Sequence, residues 1–340
     1  MSVGRYLSRR FIASIIVLIG VSIVIFLLAR LIPGDTARIA AGPRATPEMV
    51  EMLRARLHLD ESLPVQYYYF LKGLVTEGDL GMSIYTNRAV TIDIVEFFPA
   101  TFELVLFSGL FMVLIGVPLG ILSARHRDGL TDNIARVVAL LGVVTPTFVW
   151  AIFLMLAFAY AIDLFPTIGR LSDGVTPPPR VTGIYTIDAL AAGQLAVFAD
   201  AALHLILPSF ALALTGMGQA ARLTRTNMIE SFQRPYSEFA RAYNFGPQEM
   251  AFKYALKPAM IPTLTILGLD FSVMLGNAFL VEMVFGIGGM ARYGVDAIMH
   301  KDLNGIIGTV LVIATFFLIV NVIIDLVVAY LNPRVRLAAR

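Results

Sequence analysis

The chain has 340 residues, of which 58% are hydrophobic and 15% charged, and its mean hydropathy is +0.78. Soluble domains run near half apolar and a quarter charged, so this composition belongs to a membrane protein. The net charge of +2 is too small to suggest nucleic-acid binding, and with no cysteine there is no disulfide, thiolate nucleophile or cysteine metal site.

A helix needs about 20 mostly apolar residues to cross a hydrocarbon core about 30 Å thick. Six segments qualify: residues 11–32, 99–124, 136–162, 202–221, 259–281 and 303–330. The basic stretch before the first imitates a signal peptide. Its uncharged run is longer than a signal core, however, and "RLIPGD" has no small-residue cleavage pattern, so it reads as a retained anchor. Residues 33–98 are long and mixed in charge. Thr46 is placed to cap a helix opening at Pro47, with Glu48 in its first turn. Met49, Met52, Leu53, Leu57 and Leu59 supply an apolar stripe, and Pro64 opens a second helix. The segment reads as a small folded element, not a loose loop. In the third span Pro146 should kink the helix. The proline-rich "SDGVTPPPRVTG" rules out one long helix over 163–200, and glycines permit tight turns in 282–302.

Lys and Arg near span ends favour the cytoplasm. Arg5, Arg9 and Arg10 precede the first span. Arg125, Arg127 and Arg136 flank the turn between the second and third. Arg222, Arg225, Arg234, Arg241, Lys253 and Lys257 fill the stretch between the fourth and fifth, and Arg334, Arg336 and Arg340 follow the sixth. With six spans all four groups share one side. Both termini are then cytoplasmic, and the 33–98 element is extracytoplasmic.

The stretch "SEFARAYNFG", Ser237–Gly246, is a polar island in this chain. Ser237 is a candidate cap, and Phe239, Ala242 and Tyr243 share a helical face. Asn244 can stop the helix because asparagine tolerates the left-handed conformation. Pro247 suits the first turn of a second short helix, "PQEMAFKYALK", before Pro258 and Pro262 lead into the fifth span. Spacing alone leaves two readings open: an ordinary basic loop, or a protein-docking corner presenting aromatic side chains.

"EFARAYN" resembles the E-A-A-x-x-x-G motif of ABC importer permeases. Glu238 matches the acid and Ala240 the second alanine; Phe239 departs from the first alanine, and Asn244 takes the glycine position. "FLVEMVFGIGGMARYGVDAIMHKD", "IDLVVAYLNPRVR" and the N-terminal "RYLSRRF" resemble the oligopeptide/dipeptide/nickel branch of that family, in its first-permease type. The resemblance covers nearly the whole chain. It implies an all-α membrane protein of the type I importer permease fold with six transmembrane helices. Residues 1–32 would hold the N-terminal stub and first span, 33–98 the extracytoplasmic element, 99–331 the permease core with coupling helices at about 230–257, and 332–340 a cytoplasmic tail. It also implies a heterodimer with a second, similar permease in the lipid bilayer. Two cytoplasmic ATPases would carry ATP and Mg2+, and an extracytoplasmic binding protein would deliver peptides or similar solutes. The coupling residues would be Glu238, Phe239, Ala240, Arg241, Ala242, Tyr243, Asn244, Phe245 and Gly246.

The chain has no G-x-x-x-x-G-K-[ST] phosphate loop and no H-E-x-x-H, so neither an ATPase nor a metalloprotease site is present. His204 and Ser209 stand five apart and share a helix face poorly. No cofactor or metal bound by this chain is expected. An ion-coupled carrier or channel is the alternative, because Asp270 and Asp325 lie in apolar spans, where a charge is costly. Asp270 and Asn277 are candidates for the translocation path; Asp270 is a site for a cationic group, or it pairs with a polar group on a neighbouring helix or is protonated.

Overall fold

The computed structural model describes residues 3–31, 37–38, 45–56 and 58–331. Leu57, the "PGD" stretch at 33–35, and residues 332–340 with Arg334, Arg336 and Arg340 lie outside the described residues. The side chain of Arg241 does too, although its backbone is helical.

Twelve helices of seven or more residues occur among the described residues. They are α1 (Val3–Leu31), α2 (Pro47–Arg56), α3 (Leu63–Thr76), α4 (Val90–Arg125), α5 (Leu130–Val144), α6 (Thr147–Ala161), α7 (Tyr185–Ala191), α8 (Leu195–Phe232), α9 (Pro235–Ala242), α10 (Pro247–Val284), α11 (Met290–Met299) and α12 (Leu303–Leu331). Five are long and apolar enough to cross a membrane, and the bent pair α5–α6 makes a sixth if it counts as one span. The expected kink at Pro146 is a 108° break. Pro146 donates no N–H, and it pushes Thr145 into extended backbone at φ −81, ψ 127. Pro99, Pro118, Pro208, Pro258 and Pro262 are absorbed inside helices. Pro118 and Pro258 each have their i−4 residue inside a π-helical stretch, Met112–Gly116 and Met250–Ala255. That widened turn relieves the clash between the ring and the carbonyl four residues back.

The chain divides into two compact units. One is mainly Thr101–Ile287 with the residues from Phe317 onward; the other is Ser8–Ala100 with Gly288–Phe316. In the second, Thr46 caps α2 by accepting from the Met49 N–H at 3.3 Å, as expected. The buried side of α2 is carried by Val50, whereas Met49 and Met52 face outward. α3 is fixed to α1: the Ser22 and Tyr67 hydroxyls are 2.8 Å apart, and Phe26 packs edge-on against Tyr67. Residues 81–89 fold back on themselves through a single bridge, Met82–Ala89. Asp302 holds this stretch by accepting from the Ser83 hydroxyl, and Asn304 donates to the Met82 carbonyl. The 45–98 segment is therefore folded, as the capping signals implied.

In the first unit α8 is central, packing against α4, α5, α6, α7 and α10. Lipid tails are as apolar as leucine, so helices in a bilayer associate through close packing of small residues. α8 supplies these with Ala211, Ala213, Gly216, Gly218, Ala220 and Ala221, all buried. A Cβ on Gly218 would stand 2.5 Å from the Ala139 carbonyl oxygen of α5, so the two backbones touch. The loop before α8 is equally fixed. Asp188 accepts N–H bonds from Val181, Thr182 and Gly183 at 3.2, 2.8 and 2.9 Å. Burial pushes its carboxyl up, yet these donors, with the Thr182 hydroxyl, hold it below the usual carboxylate range. Buried Glu103 accepts from Arg170 at 2.6 Å and from the Thr186 N–H at 2.8 Å.

The α5–α8 contact leads to a direct test. Gly218→Ala should cost about 1–3 kcal/mol through overpacking against a backbone that cannot yield. Gly20→Ala, where a Cβ meets nothing within 4 Å, should be neutral in the same thermal-unfolding assay.

Candidate functional site

The polar island folds as a helix and a corner. Pro235 opens α9, and the helix runs to Ala242. Ser237 is thus inside the first turn and is not the cap. A proline at the first helical position needs no N–H partner and starts the helix two residues before the serine. Ser237 is fully buried and donates its hydroxyl to the Ser231 carbonyl at 2.7 Å, tying α9 to the end of α8. Asn244 stops the helix at φ +59. The Phe245 N–H reaches back to the Ala240 carbonyl at 3.2 Å, the six-to-one bond of a Schellman ending. No separate second short helix follows. From Pro247 the chain runs through its π-helical stretch straight into α10, one helix of 38 residues.

The corner presents aromatic side chains outward. Phe239 is 62% and Tyr243 66% exposed, with ring centroids 4.5 Å apart. Ala240 is buried beneath, while Glu238 and Ala242 are polar and small positions on the rim. Phe245 lies tilted against Tyr254 with ring centroids 5.1 Å apart, and Lys253 lies 5.8 Å from the Phe245 ring. Gly246 has open space where a Cβ would be. Glu238, Phe245 and Met250 also line an open cavity of about 770 Å³, whose far wall is Arg125, His126 and Arg127 at the end of α4. In the sequence Arg125 and Arg127 stand out only as charges flanking a turn, and His126 carries no signal. Their placement opposite Glu238 depends on α4 and α8 packing together, and no local pattern carries that.

Asp270 sits half-buried on α10. Gln219 on α8 donates to its Oδ1 at 3.2 Å, while Oδ2 is buried without a hydrogen-bond partner among the described residues. The polar group on a neighbouring helix is therefore present, and one oxygen remains uncommitted. Asn277, two turns further on, is exposed on the same helical face. Leu269, Val273 and Met283 flank it, each 41–53% exposed. Asp325 lies half-buried on α12. The most deeply buried acids of the first unit are others. Glu103, Glu282 and Asp132 are at most 1% exposed. Glu282 accepts from the Thr101 hydroxyl. Asp132 takes two bonds of 2.7 Å from Arg225 and one from Ser123. The i, i+4 spacing of Asp132 and Arg136 was the one sequence signal for this cluster; Arg136 stands 3.8 Å away and Arg225 is the main partner.

Residues 116–337 match the family model of binding-protein-dependent transport system inner membrane components, and residues 3–105 match its N-terminal companion. The chain belongs to this family of ABC transport permeases. It is 38% identical to a probable D,D-dipeptide transport system permease protein of Escherichia coli, covering 98% of each chain. It is 37% identical to a dipeptide transport system permease protein of Alkalihalophilus pseudofirmus over 97% of this chain and 99% of that one. It is 33% identical to a glutathione transport system permease protein of Pectobacterium atrosepticum over 98% and 99%. This permease is a multi-pass inner-membrane component of an ABC importer, as its motifs implied. The reading as an ion-coupled carrier or channel is not favoured.

Asn244 gives the test of the corner. Asn244→Gly should leave melting unchanged, since glycine accepts positive φ freely. Asn244→Val should cost roughly 1–2 kcal/mol and speed proteolytic cleavage at residues 243–247.

Proposed function

We propose that this permease forms half of the translocation path for dipeptides, longer peptides or similar small solutes, and that the 235–246 corner receives the work of ATP hydrolysis. The relatives' substrates support the solute class. The observation that carries the coupling role is the outward Phe239–Tyr243 pair on a corner closed by Asn244. Exposed aromatics on a rigid turn cost little entropy to dock and fill a partner groove well. This chain has no nucleotide loop, so the partner that fits is a pair of ATPase subunits holding ATP and Mg2+. ATP-driven closure of that pair then moves α9, and Ser237 passes the motion to α8.

The rest of the assembly follows the same reading. A second, similar but distinct permease packs on the exposed face of α10, and an extracytoplasmic binding protein delivers solute to the opposite side. The basic residues flanking the turn from α4 to α5 and the stretch from α8 to α10 support a cytoplasmic corner, with the 33–98 element extracytoplasmic in this reading. Asp270 faces the path, its free oxygen attracting the ammonium terminus of a peptide, and Asn277 adds a polar contact further along.

Two measurements decide this. Glu238→Arg should abolish coupled uptake while leaving the ATPase subunits able to hydrolyse ATP; normal coupled uptake would remove the corner from the mechanism. Asp270→Asn should reduce uptake of a dipeptide with a free amino terminus by about tenfold, the value of roughly 1.4 kcal/mol of charge attraction. Unchanged uptake would sink the pathway role of Asp270 alone.

A further inference from the structure

A second cavity, of about 300 Å³, lies between α5 and α8 and belongs to no part of the coupling corner. The two backbones touch at Gly218 and again at Gly142, where a Cβ would stand 2.7 Å from the Leu214 carbonyl oxygen. Beside these contacts the walls are Ala135, Ala139 and Ala221, too short to fill the gap. Leu140 and Val143 continue the apolar lining. The result is a narrow greasy slot, open where longer side chains would have closed it.

The slot also has a basic lining. Arg136, Arg222 and Arg225 line it, and no acidic residue does. Arg225 is committed to Asp132, which also stands 3.8 Å from Arg136. Arg222 is exposed and makes no ion pair among the described residues, although its charge acts on Asp270. Three arginines against Asp132, with Asp270 at a distance, leave the slot net positive.

The outer surface of α5 tells where an occupant comes from. Ile134, Val137, Val138, Leu141 and Val144 are each at least half exposed. Such a face, on a helix of the membrane-spanning set, is covered by hydrocarbon and not by water. A ligand reaching the slot from there has an apolar tail and a negative head. Basic pockets between spanning helices select anionic lipid head groups for this reason.

We propose that the α5–α8 slot binds one anionic phospholipid, its acyl chain along Ala135, Ala139, Leu140 and Val143 and its phosphate at Arg136 and Arg222. The inference rests on the spans crossing a bilayer, as the family reading holds. An occupied slot braces α5 against α8, the helix that leads into the 235–246 corner.

The test uses the complete transporter, purified with its partner subunits and placed in nanodiscs of equal phosphatidylglycerol and phosphatidylcholine. Native mass spectrometry then reads the lipid that stays bound after extraction. The wild type should retain phosphatidylglycerol over phosphatidylcholine. Arg136→Gln with Arg222→Gln should cut that retention roughly tenfold, and Arg136→Lys with Arg222→Lys should restore most of it. If the double glutamine variant does not assemble, Arg222→Gln alone carries the test, because Arg222 is exposed and makes no ion pair among the described residues. Millimolar glycerol phosphate should leave the bound lipid in place. Equal retention of the two lipids, unchanged retention in the glutamine variants, or displacement by glycerol phosphate would each overturn the site. ATP hydrolysis stimulated by the binding protein, measured in phosphatidylcholine alone, reports on the transporter reading separately.

Discussion

The close approach of backbones along α8 is the constraint on which the first unit depends. At 1.5 Å per residue its 38 residues span about 57 Å, well beyond a hydrocarbon core of about 30 Å. One end meets the loop before it, where Asp200 accepts from the Ser172 N–H at 2.8 Å. The other end offers the Ser231 carbonyl to Ser237 of α9. Between them the small residues let α4, α5, α6 and α10 lie against it. In lipid this packing substitutes for the hydrophobic drive that water would supply. A rod held so tightly transmits a displacement at one end to its neighbours, because a packed core shifts between discrete arrangements and does not bend smoothly.

Polar contacts make that packing specific. Three buried carboxylates sit where a lone charge would be costly, and each has donors from distant elements. Glu103 is neutralised by Arg170 and fixes the segment carrying Thr186. Asp132 joins α5 to α8 through Arg225. Glu282, at the end of α10, is held by Thr101 of α4. Removing either member of such a pair leaves the other uncompensated, so these contacts set which helix faces meet. Asp270 differs: one oxygen accepts from Gln219 and the other has no hydrogen-bond partner among the described residues, so it is less completely satisfied than the structural acids.

Signals that act within a few residues were legible in the sequence. Asn244 was readable as a left-handed stop because few residues accept positive φ. Thr46 was readable as a cap, and Pro146 as a disruption, though a proline ring alone does not set a bend of 108°. Ser237 is not the cap because Pro235, two residues before it, is the stronger start signal and opens the helix. The fourth span was placed at 202–221, yet its helix covers 195–232: hydropathy marks only the stretch that fits the hydrocarbon, and a helix does not stop where the lipid does. The second coupling helix was lost in α10 for a similar reason, since a π-helical stretch let Pro258 continue a helix that it would otherwise have ended. Of the buried acids only Asp132 carries a local signal, its i, i+4 spacing to Arg136. The main partners of Glu103, Asp132 and Glu282 lie 67, 93 and 181 residues away in the chain, beyond any local pattern.

The contact made by the aromatic corner decides the coupling role most directly. The chain has no cysteine, so a single Phe239→Cys introduces one unambiguous reporter. In the purified transporter with its partner subunits, a short bifunctional crosslinker at residue 239 should trap an ATPase subunit, and the yield should change when ATP replaces ADP. A Tyr68→Cys reporter, on the exposed surface of α3, should trap the binding protein and no ATPase. Crosslinks from residue 239 to the binding protein, or from residue 68 to an ATPase, would contradict both the orientation and the coupling role of the corner.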